Sequence, residues 1–361
     1  MKKQIAIIGT RGIPNQYGGF EQFAEQLSQE LVKKNVDVFV YNPTTHPYTK
    51  SAFNGVQIIR KKLYEKTLGH LAHLFYDYAC LKDSVEKKID TVLACGYGSM
   101  LLAFWFVSLK QTKLIINMDG LEWKRKRWHS LGKLLLKITE KTAVRKGHVL
   151  ITDHLAINDY FKTKYNIASP YIPYGADIPK TFNETYLNNY NLKPNEYFIL
   201  ISRPVSENNI HTILSGFSKS DSKKKFVIIT NTKDKYSKKL MRRYTDKRFV
   251  FLPNIYDADT LNTLRHFSVA YFHGHSVGGT NPSLLEAMAS ECLIIAHDNI
   301  FNKMILKENA FYFNTISDVT HHIDAIDSLL DSKQSFVAAN KLQILKNYQW
   351  EKIADAYFEL L

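Results

Sequence analysis

The residues best equipped for chemistry stand in short loops, each just after an apolar run. Gly9-Thr10-Arg11-Gly12-Ile13-Pro14 follows the run Gln4–Ile8 and leads through Gln16-Tyr17-Gly18-Gly19-Phe20-Glu21 into an amphipathic stretch. Gly18 and Gly19 let a backbone approach a ligand closely, and a helix start offers N–H groups to an anion. The plainer role is a glycine turn that packs helix on strand. Farther on, Asn117-Met118-Asp119-Gly120-Leu121-Glu122-Trp123 closes another run. Asp119 and Glu122, beside an aromatic residue and just before a basic cluster, have the makings of a general-base or cation-binding pair, against the alternative of solvated turn carboxylates.

Two loops in the second half carry anion chemistry. Arg203, in Ile201-Ser202-Arg203-Pro204, has the planar fork that suits phosphate oxygens. The segment from His273 through Gly278, Gly279, Thr280, Asn281, Pro282, Ser283 and Glu286 to Met288 ends a strand in small residues and opens a helix at Pro282. Its loop N–H groups and helix start form an anion cradle. Glu286, one turn in, is placed to reach the hydroxyls of a ribose or sugar. Replacing it by alanine is expected to weaken that binding and leave the fold intact. The dinucleotide fingerprint G-x-G-x-x-G is absent, and Val40-Tyr41-Asn42 lacks the acidic residue that would hold an NAD ribose. Both facts count against a dehydrogenase.

These loops need a frame of strands. Runs of four to six apolar residues recur at Gln4–Ile8, Val36–Tyr41, Val56–Ile59, Thr91–Ala94, Lys113–Asn117 and His148–Thr152. They return at Tyr197–Ser202, Phe226–Thr230, Phe249–Leu252, Val269–His273, Leu293–Ala296 and Ala310–Phe313. Unbroken apolar runs alternating with helical stretches predict parallel sheets covered on both faces, here two doubly wound domains. In such sheets ligands bind beyond the carboxyl ends of the strands, where the loops above lie.

Charge is unevenly spread. Residues 1–180 hold 27 Lys/Arg and 15 Asp/Glu, whereas residues 181–361 hold 21 and 19. The excess peaks between Lys124 and Lys146, with nine basic residues and one acidic. Lys124 to Arg127 and Trp128 precede a helix with Lys133, Lys137, Lys141 and Arg145 at four-residue spacing, and Leu131, Leu134, Leu135 and Ile138 beside them. A basic stripe next to an apolar one, headed by Trp123 and Trp128, suits an anionic membrane interface; the alternative is a solvated helix with its apolar side in the core. The longest apolar stretch, Met100 to Leu109, falls well short of the ~20 residues of a spanning helix. Cys80, Cys95 and Cys292 form no close pair and suit a reducing cytoplasm. Asp257-x-Asp259 has the spacing of a paired-aspartate metal motif, but its place before a helix suggests a cap. No structural metal is expected.

Taken together, Gly9 to Pro14 with Tyr17 to Glu21, Asp119 to Trp123, Ile172-Pro173-Tyr174-Gly175-Ala176 and Gly278 to Met288 resemble a GT-B glycosyltransferase of family 4. Within it the likeness is to the rhamnosyltransferase-like group of capsule and exopolysaccharide enzymes. The resemblance covers essentially the whole chain. It implies an α/β fold of two Rossmann-like, doubly wound parallel-sheet domains facing a cleft. Residues 1–175 would be the acceptor side, with a C-terminal helix 348–361 packing back on it, and residues 190–347 the nucleotide-sugar side. The implied reaction is retaining transfer of a sugar, with L-rhamnose from dTDP-L-rhamnose the best fit, to a lipid-linked saccharide. No cofactor or metal is implied. By the same resemblance Glu286 holds the ribose, Gly279 to Ser283 contact the diphosphate, Arg203 shares its charge, and Gly18 and Gly19 lie near the donor phosphates. Asp119 stands where a catalytic or acceptor-orienting residue belongs.

Two positions depart from the family. Gly278 stands where a glutamate near the donor sugar is usual, and Glu207-Asn208-Asn209 where a lysine commonly follows Arg203. The expected location is cytoplasmic, peripheral on the inner face of the plasma membrane, through Lys124 to Arg127 and the Lys133, Lys137, Lys141, Arg145 stripe. Two other readings compete. A sugar-nucleotide epimerase of the same fold has no need of the basic, aromatic-headed N-terminal half. A nucleic-acid binder is suggested by the pI of about 9.4, but zinc-finger spacing and RNA-recognition signatures are missing, so no nucleic-acid partner is expected.

Overall fold

Ile5, Ala6, Ile7 and Ile8 are fully buried, as an unbroken apolar run must be when helices cover both faces of its sheet. The computed structural model describes residues 2–125 and 128–361. Its packing divides into Met1–Gly175 with Trp350–Leu361, and Ala176–Gln349. In the first unit, β1 (Gln4–Ile8), β2 (Asp37–Pro43), β3 (Ala52–Phe53), β4 (Val56–Lys61), β5 (Thr91–Cys95), β6 (Lys113–Asn117) and β7 (Val149–Ile151) form one sheet. Their order is β3-β4-β2-β1-β5-β6-β7. Only β3 runs antiparallel to its neighbour. The apolar-run pattern does not predict β3, which is two residues long. It is folded back onto β4 by Asn54 and Gly55, whose positive φ angles of 45° and 84° make a tight hairpin.

The second unit has β8 (Tyr197–Ile201), β9 (Lys225–Ile229), β10 (Phe249–Leu252), β11 (Tyr271–His273), β12 (Ile294–His297) and β13 (Phe311–Phe313), all parallel, in the order β10-β9-β8-β11-β12-β13. Its core is aromatic: Phe198, Phe217, Phe226 and Phe272 are fully buried with ring centroids 5.0–6.1 Å apart. The polar stretch after Gly175 belongs to this unit and includes the helical turn Glu184–Tyr190. Asp257 caps the helix Ala258–His266, its Oδ2 accepting the Thr260 N–H at 2.8 Å.

With the β3 hairpin set aside, both sheets have doubly wound order and reverse direction once, between β1 and β5 and between β8 and β11. Three connections of the first unit, β4 to β5, β5 to β6 and β6 to β7, step the same way across the sheet. Right-handed crossovers therefore put the helices Ala72–Glu86, Leu101–Phe106 and Ser130–Lys146 side by side on one face. On the helix Gly19–Lys33, Phe23 meets Tyr174, Trp350 and Tyr357, with ring centroids 5.1, 6.2 and 5.6 Å away, which ties the final helix Trp350–Glu359 to this unit. Among the described residues no helix is long and apolar enough to cross a membrane.

One buried group gives the fold a pH dependence. Asp77 lies inside the helix Ala72–Glu86, where burial pushes its carboxyl up to about 7 against a partial offset from the Ser99 hydroxyl that donates to it. Between about pH 4 and pH 7 the folded chain holds a proton that the unfolded chain releases, so stability falls as pH rises through that window. Asp77→Asn is expected to gain up to about 4 kcal/mol over wild type at pH 8 and nothing near pH 4. Denaturant unfolding at both pH values checks this; a variant no more stable than wild type at pH 8 contradicts it.

Candidate functional site

At the reversal point of the second sheet the loops after β8 and β11 are knitted together. Asn209 Nδ2 donates to the Gly274 carbonyl at 2.8 Å, and the Ser276 N–H and Oγ donate to the Glu207 carbonyl at 3.0 and 2.8 Å. Asn208 Nδ2 donates to the Arg203 carbonyl at 2.9 Å. A Cβ at position 274 would collide with the Asn208 carbonyl, so glycine is what permits this approach. Glu207-Asn208-Asn209, where the resemblance led to the expectation of a lysine, thus joins two loops instead of supplying a cation. The Arg203 side chain is exposed and forms no ion pair or hydrogen bond among the described residues.

The next loop divides its residues between two tasks. Asn281 Oδ1 accepts the Ser283 N–H at 2.9 Å and caps the helix Pro282–Ala289, with Pro282 in its first turn. The Leu284 N–H bonds the Asn281 carbonyl at 3.0 Å. Asn281 and Ser283 thus serve the helix cap, and the first N–H groups of the helix are bonded within the chain. The N–H groups of Gly278 and Gly279 make no backbone hydrogen bond among the described residues. Gly278 has φ +140° with open space where a side chain would point. A glutamate there would strain this backbone, so glycine suits the loop as it is built.

Glu286 is bound to a residue that loop motifs do not reveal. Arg265 is fully buried, and its Nη2 donates to Glu286 Oε2 and to Ser283 Oγ at 3.2 Å, while Nη1 reaches Asn262 Oδ1 at 3.2 Å. Ser283 Oγ also lies 2.9 Å from the Tyr271 hydroxyl. His273, at the end of β11, is buried against the same guanidinium. Burial first, then Arg265 and His297, hold its imidazole down to about 3, so it is neutral, and its Nε2 has no hydrogen-bond partner among the described residues. Its ring stacks on His275 at 4.5 Å.

In the first unit Gly18 is the extended residue before the helix Gly19–Lys33, and a Cβ there would meet only Glu21 Oε2 at 3.5 Å. The loop ahead of it is pinned from inside. Glu21 Oε1 accepts the Arg11 N–H at 2.7 Å, and the Asn42 side chain bonds the Ile13 N–H and carbonyl at 3.0 and 2.7 Å. Asp119, half-buried beyond β6, adds to the field of Glu21 at Cys95, whose thiol is pushed up by burial and then by these carboxylates. Glu122 opens the short turn Glu122–Lys124 and accepts from Arg125 Nε at 2.5 Å.

That turn is fastened by a buried carboxylate that charge counting passes over. Glu140, the one acid in the basic helix, is fully buried and accepts from Trp123 Nε1 at 2.9 Å, Tyr160 at 2.8 Å, Tyr165 at 2.7 Å, Lys164 at 2.8 Å and Tyr97 at 3.2 Å. Burial raises its pKa, but the bonds from Lys164, Tyr165, Tyr160 and Trp123 outweigh that and hold it below the usual carboxylate range. Trp123 is therefore a tether to the helix, which corrects its assignment to a membrane-facing head. Arg125 is a partner of Glu122 and largely buried. Lys126 and Arg127 lie outside the described residues. Leu131, Leu134, Leu135 and Ile138 are exposed, so the apolar side of the helix is not a core face.

Comparison with known proteins bears on the fold. Residues 2–177 match the model of a domain of unknown function, DUF1972. By sequence the chain matches no curated protein. Sucrose-phosphate synthase from Thermosynechococcus elongatus superposes with a TM-score of 0.84 at 15% identity, over 99% of this chain and 98% of that one. HepE from Anabaena, in complex with UDP and glucose, gives 0.76 at 13% identity, over 100% and 99%. A TarM variant from S. aureus, in complex with fondaparinux, alpha-GlcNAc-glycerol and UDP, gives 0.74 at 12% identity, over 100% and 99%. The fold is GT-B. In this GT-B chain the candidate residues fall into two groups, Gly18, Gly19, Asp119 and Glu122 on the first sheet and Arg203 with Gly278 to Glu286 on the second.

The Arg265 pair changes what a Glu286 variant reports. Glu286→Ala strands a buried guanidinium and is expected to cost about 3 kcal/mol of stability, and Glu286→Gln, which keeps an acceptor but not the counter-charge, recovers only a minor part of it. An untouched fold is therefore expected for neither variant. Denaturant titration of both variants checks this; a Glu286→Ala protein as stable as wild type would remove the pair from the account.

Proposed function

We propose that the chain is a retaining glycosyltransferase that takes a nucleotide-diphosphate sugar, dTDP-L-rhamnose by preference, and glycosylates a lipid-linked saccharide in cell-surface polysaccharide synthesis. The observation that carries the reading is the edge of the second sheet. There the loop after β8 carries the exposed Arg203, and the loop after β11, bonded to it through Ser276 and Glu207, carries the unbonded N–H groups of Gly278 and Gly279, at a strand-order reversal. The fold shared with HepE and TarM, both crystallised with UDP, supports a nucleotide-sugar donor.

The chemistry follows from charge. The bond from the anomeric carbon to the diphosphate breaks, the acceptor oxygen bonds to that carbon from the same face, and the acceptor proton passes to a diphosphate oxygen. Arg203 and the loop N–H groups stabilise the charge growing on the diphosphate, work that in this reading needs no divalent metal. Asp119 orients the acceptor hydroxyl; Glu122, paired with Arg125, supports the turn that carries it. The acceptor is met at an anionic membrane surface, with Lys133, Lys137, Lys141 and Arg145 on the attracted side.

A thermal-shift panel of nucleotide sugars tests the donor. Ligand at a hundredfold over Kd stabilises by about 2.7 kcal/mol, and dTDP-L-rhamnose is expected to give the largest shift. Arg203→Ala should weaken binding about tenfold or more, the cost of one charge-assisted contact. Turnover in EDTA should match turnover with added manganese. No shift with any nucleotide sugar would contradict the transferase reading, a larger shift with another sugar would replace rhamnose, and manganese dependence would overturn the metal-free step.

A further inference from the structure

The helix Ser130–Lys146 has three faces, not two. At about 100° per residue, Leu136, Thr139, Glu140 and Ala143 point inward and are buried, and Lys133, Lys137, Lys141 and Arg145 form a second face. The third face holds Leu131, Leu134, Leu135 and Ile138, exposed at 69%, 54%, 45% and 38%. Its neighbour on the sheet, Leu101–Phe106, packs against it and ends in Trp105 and Phe106, exposed at 54% and 69%. The next helix in the row, Ala72–Glu86, packs against Leu101–Phe106 and carries Phe75 outward, with Leu68 and Leu71 exposed just before it. Because all three crossovers share one hand and one direction, these side chains lie on the same face of the sheet.

A soluble monomer rarely leaves large apolar side chains in such a row without a partner. Charge selects the partner. Lys137, Lys141 and Arg145 are exposed along one edge, and Lys62 and Lys66 are exposed beside Leu68. A second copy would bring the same cations, in a half of the chain with 27 Lys/Arg and 15 Asp/Glu, against them. An anionic lipid surface offers both a low-dielectric layer for the apolar row and phosphates for the rim, and Trp105 suits its interface.

We propose that this three-helix face inserts shallowly into an anionic bilayer, with Trp105, Phe106 and Leu131 to Ile138 below the headgroups and the lysine stripe against them. The inference deepens the membrane part of the function proposed above and does not depend on the donor or the reaction. Met100 to Leu109, too short to span, thereby supplies an aromatic wedge.

The test uses the whole chain, without donor or acceptor, and vesicles of phosphatidylcholine alone or with about one-third phosphatidylglycerol. Wild type should sediment with the anionic vesicles, keep part of that binding at high salt, and show tryptophan emission quenched by acyl-brominated lipid. Phe106→Asp and Leu134→Asp should each lower partitioning about tenfold or more, with thermal unfolding unchanged. Charge reversal of Lys137 and Lys141 should remove the salt-sensitive part only. Binding that is wholly salt-sensitive and indifferent to Phe106→Asp and Leu134→Asp would overturn insertion, as would a stable dimer that Leu134→Asp dissociates, or no binding at all. Donor-induced thermal shift, measured separately, reports on the transferase reading alone.

Discussion

Where the order of a parallel sheet reverses, the chain leaves two adjacent strands in opposite directions, and no connection covers the gap between their carboxyl ends. That constraint acts between β8 and β11, and the loops there have been shaped around it. Asn208, Asn209 and Ser276 spend their hydrogen bonds joining the loops, and Gly274 gives them room to touch. The Arg203 guanidinium and the N–H groups of Gly278 and Gly279 make no hydrogen bond among the described residues. Unpaired donors on two joined loops are what the proposed anion site rests on.

The buried guanidinium of Arg265 is the second organiser. A charge with almost no access to water requires a counter-ion, and Glu286 supplies it while Ser283 and Asn262 take further N–H groups. The requirement fixes the helix Pro282–Ala289 and hence the loop in front of it. Glu140 has the same logic with the sign reversed, since four hydroxyl or indole donors and one ammonium converge on it and hold the Asp119 to Lys124 turn through Trp123.

Strands were legible because burial on both faces leaves continuous apolar runs, and the Asp257 cap because capping is local. The hairpin strand Ala52–Phe53 lay below that pattern, although Asn54-Gly55 was a usable signal for it. The site was half legible. Glycines, Arg203 and Glu286 follow strands and announce loops. Arg265 sits 21 residues before Glu286, on a different helix, and nothing in its neighbourhood distinguishes it from a surface arginine. Glu140 was hidden in the same way by nearby lysines. Leucines at helical spacing look identical whether they face a core or a membrane; the Ser130–Lys146 helix already has an inward face, which only tertiary packing reveals.

In the proposed function the β8–β11 edge holds a nucleoside diphosphate. A crystal structure of the chain soaked with dTDP tests it most directly. Diphosphate density is expected within hydrogen-bond distance of the Gly278 and Gly279 N–H groups and the Arg203 guanidinium, with the ribose hydroxyls at Glu286. Density for the nucleotide elsewhere, with Arg203 still free and the glycine N–H groups unbonded, would contradict it.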